Sequence, residues 1–407
     1  NDLVTVSGAA GAFTIDNQGF YGDFMGDVAV NVPGVDFGAQ LEVAIDTRAP
    51  NPFVRVSGDD VNLSIAGQSI SGDFVIEQKT SGGPDGIIGG ANAADDETVV
   101  SIAASDVDLQ FGDPGNPFID IEGASGAMLV TSAGIAAKLD VTLVPGVTLA
   151  IPGFDIGGDI AIEVNTIPAP VEETFEVGGG TVTLNLPGGP YFRVAVTNAV
   201  VDIAGGAAAL NGNLLFQQQT TGGPDGIVGG ANAADDETVT LFAATALEID
   251  VAGPKLVNGE GACVSLPSGV AGYATGNAEL GGGGFDLSAS LGFRINKTGV
   301  AVDEVITVDG RELTIAFSDS ETDILQIFAS DLSLNIGDFV SIEGDVQFTQ
   351  DGAVSVFAGR NLRIFLGQGP ARLPSGDPNP SATGLLLDNA SIGLVKDGAA
   401  YALVATG

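Results

Sequence analysis

Apolar and polar residues alternate along most of this chain with a period of two, the pattern of strands that bury one face. The clearest case recurs as a glycine, an Asp or Asn, and two apolar residues spaced by one: Gly72, Asp73, Phe74 and Ile76; Gly212, Asn213, Leu214 and Phe216; Gly344, Asp345, Val346 and Phe348. Each reads as a half-buried strand leaving a turn. A preceding strand alternates in Leu63 and Ile65, Val201 and Ile203, and Leu334 and Ile336. A following strand does so in Val107, Leu109 and Phe111, then Leu247, Ile249 and Val251, then Leu362, Ile364 and Leu366. No stretch of convincing length carries a 3.6-residue period, so helices are not expected.

These strands belong to an internal repeat. Residues 52–78 line up with 190–218 and 323–350, residues 4–19 resemble 119–134 and more loosely 257–272, and 384–398 open a further copy. The expected division is 1–115, 116–255 and 256–382, with 383–407 starting a fourth copy. The second and third copies carry an extra segment, "VEETFEVGGGTVTLNLPGG" at 171–189 and "VDEVITVDGRELTIAFSDS" at 302–320, while the first passes from "LEVAIDT" (41–47) straight to Pro50. With 61 glycines and turn pairs such as Asp309-Gly310 and Asp351-Gly352, the pattern predicts an all-β fold. It consists of elongated tandem repeats of antiparallel β-meanders, arranged as a sandwich or a long curled sheet. A parallel β-solenoid is the alternative, although its rungs recur faster than these repeats do.

Composition narrows the function. The 407 residues hold 13 Lys and Arg against 52 Asp and Glu, a formal charge of −39, which repels nucleic acid and anionic lipid and favours cations. The chain has no His and no Trp, which removes His-based acid/base catalysis, Ser-His-Asp systems and the usual zinc sites. Cys263 is the one cysteine, so no disulfide forms within the chain, and it reads as a small buried apolar residue. No enzyme is expected. No apolar run of 18 or more suggests a membrane-spanning helix, and the opening "NDLVTVSG" reads as an excerpt of a longer or processed chain.

The sharpest constellation is a loop present twice almost letter for letter, "TSGGPDGIIGGANAADDETV" at 80–99 and "TTGGPDGIVGGANAADDETV" at 220–239. Asp85, Asn92, Asp95, Asp96 and Glu97 recur as Asp225, Asn232, Asp235, Asp236 and Glu237. Carboxylates and an amide on a glycine-rich backbone are the hard-oxygen set that calcium takes from flexible loops. The order matches neither an EF-hand nor a calcium β-roll, and the same residues also make a solvated acidic hairpin loop. The third copy replaces the loop with the short turn Asp351, Gly352, Ala353, which marks the loop as an insertion at a hairpin tip.

Other features are weaker. Glycine clusters at 178–180 and 281–284 read as turns, and Asp59-Asp60 as an exposed pair at a strand turn. Asn62, Asn296 and Asn389 open glycosylation sequons, and Arg55 and Arg193 recur where they can form cross-strand pairs with acids.

The segment "FVRVSG…VNLSIAGQSISGDFVIEQ", the acidic loop and the "ETVVSIAASDVDLQFGD" strand pair resemble the degenerate β-rich repeats of very large secreted or surface-anchored adhesin-like proteins of bacteria. The resemblance implies an extracellular or cell-surface structural and adhesive role, as stalk, spacer or filament unit, often with calcium. Its expected partners are neighbouring repeats or identical chains end to end, and cell-surface or matrix components. Two alternatives keep the same fold: a glycan- or surface-binding module, for which 6% aromatics without Trp is a poor endowment, and a lipid-binding β-groove. The last requires an apolar face left uncapped along its length.

Overall fold

In the computed structural model the described residues are 4–32, 35–48, 52–65, 68–81, 96–113, 116–142, 149–151, 154–177, 179–203, 208–221, 228, 236–250, 255–282, 285–337, 339–373 and 375–407. The period-two stretches form strands. The chain begins with β1 (Val4–Ile15), β2 (Phe20–Val32), β3 (Val35–Asp46), β4 (Phe53–Ile65), β5 (Gln68–Ser81), β6 (Glu97–Asp113), β7 (Asn116–Thr131), β8 (Gly134–Thr142), β9 (Leu149–Ile151) and β10 (Phe154–Asn165). A small hairpin of β11 (Val171–Val177) and β12 (Gly180–Leu186) follows. Next come β13 (Tyr191–Ile203), β14 (Ala208–Thr221), β15 (Glu237–Asp250), β16 (Lys255–Leu266), β17 (Gly269–Gly282) and β18 (Phe285–Asn296). A second small hairpin, β19 (Val302–Val308) and β20 (Arg311–Phe317), precedes β21 (Ile324–Ile336), β22 (Val340–Asp351), β23 (Val354–Gln368), β24 (Thr383–Asp397) and β25 (Ala400–Thr406).

Successive long strands pair antiparallel, as in β4 with β5, β5 with β6, and β22 with β23, and β18 skips the second small hairpin to pair with β21. This pairing excludes the parallel solenoid. Among the described residues β1 pairs with β2 and β25 with β24, and the sheet does not close into a barrel. By contact the chain divides into two compact units, Asn1–Val196 and Thr197–Gly407, a different division from the sequence repeats. Neither unit is a sandwich of two large sheets among the described residues; each has one broad sheet and one small hairpin.

The recurrent Gly-Asp/Asn pair has a different place from the one its turn-like composition suggests. Gly72, Gly212 and Gly344 lie inside β5, β14 and β22, with φ of +149°, +149° and +133°. A Cβ on Gly72 would stand 2.9 Å from Val107 Cα of the neighbouring strand, so only glycine fits. The Asp or Asn that follows reaches the other neighbour, where a non-glycine residue sits in the left-handed region: Asp60, Asn198 and Asp331, with φ of 51°, 52° and 51°. The register slips at these points, between Gly58 and Val61 and between Ala329 and Leu332, as a β-bulge requires. Asp59 and Asp60 therefore lie at a bulge inside β4, not at its end.

Both small hairpins fold back as flaps, each onto the last two strands of the preceding sequence copy and the first two of its own. β11 and β12 touch β5, β6, β7 and β8; β19 and β20 touch β14, β15, β16 and β17. Their burial alternates as the period-two pattern demands, with Val171, Phe175, Val177, Leu184 and Leu186 inward in the first. These meet Val75, Val99, Ala103, Ala127, Leu129 and Ala136 in one apolar cluster. In the second, Ile306, Val308, Leu313, Ile315 and Phe317 are buried, as are Val239, Leu241, Ala262, Val264 and Ala271 of the strands it covers. Asp309 and Gly310, with φ of 48° and 72°, form the tight turn that joins β19 to β20.

A buried asparagine fixes the base of each flap. Asn165 Nδ2 donates to the Pro187 carbonyl at 2.7 Å, and Asn296 Nδ2 donates to the Val300 and Glu321 carbonyls at 2.8 Å. Asn296 is fully buried, which closes that sequon to glycosylation.

Candidate functional site

Covering one sheet face with flaps leaves the other face to be accounted for. In the second unit, register pairs run straight across that open face: Leu214, Ala244, Gly261, Ala274, Phe293, Ile327, Phe348, Phe357, Leu394 and Leu403, each opposite the next. The row is apolar at every strand. From Phe293 onward its members are exposed, Ile327 at 49% and Leu403 at 63%. A parallel row puts Phe216 beside Phe242, with ring centroids 5.2 Å apart, and Phe242 opposite Cys263.

The first unit repeats the arrangement. Phe24, Val43, Val56, Ile76, Ile102, Met128, Ala137 and Val164 stand opposite one another in turn. An apolar cleft of about 350 Å³ lies there, lined by Phe74, Ile102, Met128, Leu139, Ile162 and Val164 among others. Large residues at these positions follow from period two: on a strand whose flap-side residues are small, such as Ala103, Ala127 and Ala136, the bulk lies on the other side. The alternation was visible in the sequence, but not which face would be capped.

Arg55 pairs with Glu77 at 2.6 Å and Arg193 with Glu163 at 3.2 Å, the cross-strand pairs expected of these arginines, both on the flap side of their strands. Cys263 is half-buried, and burial pushes its thiol pKa up, away from reactivity.

The acidic loops are only partly within the described residues. Asp85, Asn92, Asp95, Asp225, Asn232 and Asp235 lie outside them. β5 and β6 stay paired out to Ser81 and Glu97, and β14 and β15 to Thr221 and Glu237, so each loop is an insertion at a hairpin tip. Glu97 accepts hydrogen bonds from the backbone N–H and the hydroxyl of Ser132, in the turn between β7 and β8. Its carboxylate thus braces a neighbouring turn. Among the described residues no group of three or more acidic or Cys side chains is placed to hold a metal ion.

No protein-family model, no curated protein and no solved structure matches this chain. The candidate site accordingly stands on its geometry: an apolar face, built from register-aligned rows, that none of the described flaps covers. No helix among the described residues is long and apolar enough to cross a membrane.

Proposed function

We propose that this chain is a non-catalytic extracellular repeat scaffold whose open sheet face holds the acyl chains of lipids or similar apolar molecules. The observation that carries the reading is the unbroken row from Phe293 through Ile327, Phe348, Phe357 and Leu394 to Leu403. A spacer or stalk gains nothing from such a row, because each exposed apolar Å² costs roughly 25 cal/mol against a covered one. Contiguous patches of this kind mark surfaces that bind something. With few hydrogen-bonding groups in the row, the matching ligand is a hydrocarbon.

Charge supports the same choice. At −39 the chain is repelled by anionic membrane surfaces, so single lipid tails suit it better than an anionic bilayer does. The glycan alternative rests on few aromatics: Tyr191 is buried, Tyr21 lies beneath Arg48 and Tyr273 is half-buried, which leaves Tyr401 as the one strongly exposed tyrosine.

Mass spectrometry of organic extracts from natively purified protein tests the proposal. Acyl lipids should accompany the chain and be lost from a Phe348→Asp, Phe357→Asp variant. A lipid-free chain that instead self-associates through these residues would return the function to a filament unit.

A further inference from the structure

The face of β22, β23, β24 and β25, where the third copy meets the start of the fourth, has no flap among the described residues, yet its residues repeat those of the two faces that do. Register fixes the equivalence. Ala103 stands opposite Ala127, Ala243 opposite Ala262, and Ala358 opposite Gly393. Leu129 faces Ala136, Val264 faces Ala271, and Val395 faces Ala402. Val239 and Leu241, buried beneath the second flap, correspond to Val354 and Val356. Yet Val264 is fully buried where Val395 is 39% exposed.

The opening of the chain supplies the contrast, because a flap is absent there by sequence. At the position of Ala136, Ala271 and Ala402 it carries Tyr21, whose partner across the ladder is Asp46, where the flapped repeats have Asn165 and Asn296. Asp46 holds Arg48 at 2.6 Å, and the Arg48 guanidinium lies over the Tyr21 ring at 3.4 Å. The flapless repeat thus fills and lids its own face, while an alanine leaves room for a hairpin. Ala402 is of the second kind.

We propose that the face centred on Val356, Val395 and Ala402 is a docking site for a flap hairpin from a further copy of the repeat. The hairpin would alternate apolar inward residues with acidic outward ones, as β11 does with Val171, Phe175 and Val177 against Glu172 and Glu176. The polar members of the face, Gln347 and Thr349, do not oppose this, since Gln217 in the same column is buried beneath the second flap. The site is on the opposite side of the sheet from the lipid-binding rows and does not depend on them.

The test appends a second copy of residues 277–317, the remainder of the strand that β25 begins, one further strand and one flap, after Gly407, in a Cys263→Ser background with Val395→Cys. Maleimide should label the new thiol readily in the unextended chain and roughly tenfold more slowly or less in the extended one. Changing the appended flap's copy of Ile315 to Asp should restore fast labelling, and so should Ala402→Tyr, each in a chain whose melting shows it folded. Equal labelling with and without the appended flap would overturn the proposal. So would slow labelling of the unextended chain with a dimer in light scattering, which would make a second copy's sheet the occupant.

Discussion

Asp73 Oδ1 accepts a hydrogen bond from the backbone N–H of Asp60 at 2.8 Å, across one strand boundary and at a residue held in the left-handed region. Asn213 does the same for Asn198 at 2.9 Å and Asp345 for Asp331 at 3.2 Å. A bulge N–H cannot join the ladder, and this side chain satisfies it. Asp73→Ala should therefore cost about 1 kcal/mol of stability, while Asp73→Asn, which copies the second repeat, should cost little. Urea denaturation with unchanged m-values checks both.

Asp345 adds a pH dependence. The Asp331 N–H, then Asn361 and Arg360, hold its carboxyl below its usual range. A depressed folded value means that its contribution is present above the unfolded value and is lost as pH falls through the folded one. Asp46 behaves alike and more strongly: its hydrogen bonds from Arg48 lower it from 3.8 to about 2. Melting between pH 5 and 2 should thus show the Arg48→Ala variant losing less on acidification than the parent chain, with the difference gathered below about pH 4. NMR titration of Asp46 gives the shift directly.

The strands, their antiparallel hairpins and the tip insertions were legible in the sequence because alternation and turn pairs are local. Arg55 and Arg193 were legible for the same reason, since outward residues on adjacent strands meet directly. The role of Gly72 was not: a glycine before an acid has the composition of a turn, and only the neighbouring strand's Val107 and Asp60 explain it inside a strand. The flaps were seen as optional segments without a destination, because packing onto β5–β8 or β14–β17 is a long-range event. That uncertainty hid the candidate site, since period two predicts two faces and cannot say which is covered.

Flap anchoring can be separated from flap packing. Ile315 is fully buried against the sheet, so Ile315→Ala should cost about 2–5 kcal/mol. Asn296→Ala removes the donor to the Glu321 carbonyl and one of the two to the Val300 carbonyl, which keeps Thr298 Oγ1, and each hydrogen bond lost should cost about 1 kcal/mol. Hydrogen exchange should show the second variant freeing β19 and β20 ahead of global unfolding.

Calcium at the acidic loops is testable against the Glu97 contact. If an ion binds only the folded loops, excess calcium raises the melting temperature, and Asp95→Asn with Asp235→Asn abolishes the rise. Glu97→Gln should lower stability with or without calcium, because its carboxylate braces Ser132. A melting curve indifferent to both calcium and chelator would remove the ion from the loops.

Glu304 of β19 shows an unfavourable ionisation built into the second flap. It is half-buried, and burial, with repulsion from Asp303 as the smaller cause, raises its carboxyl above 4.5. The sign is opposite to that of Asp46: the folded chain holds this proton more tightly, so stability falls as pH rises from the unfolded value through the folded one. Glu304→Gln removes the buried charge while keeping size and hydrogen-bonding reach. It should melt higher than the parent at neutral pH and match it in acid, where the parent's carboxyl is protonated. A constant difference across pH 3 to 7 would show that packing, not ionisation, sets the effect.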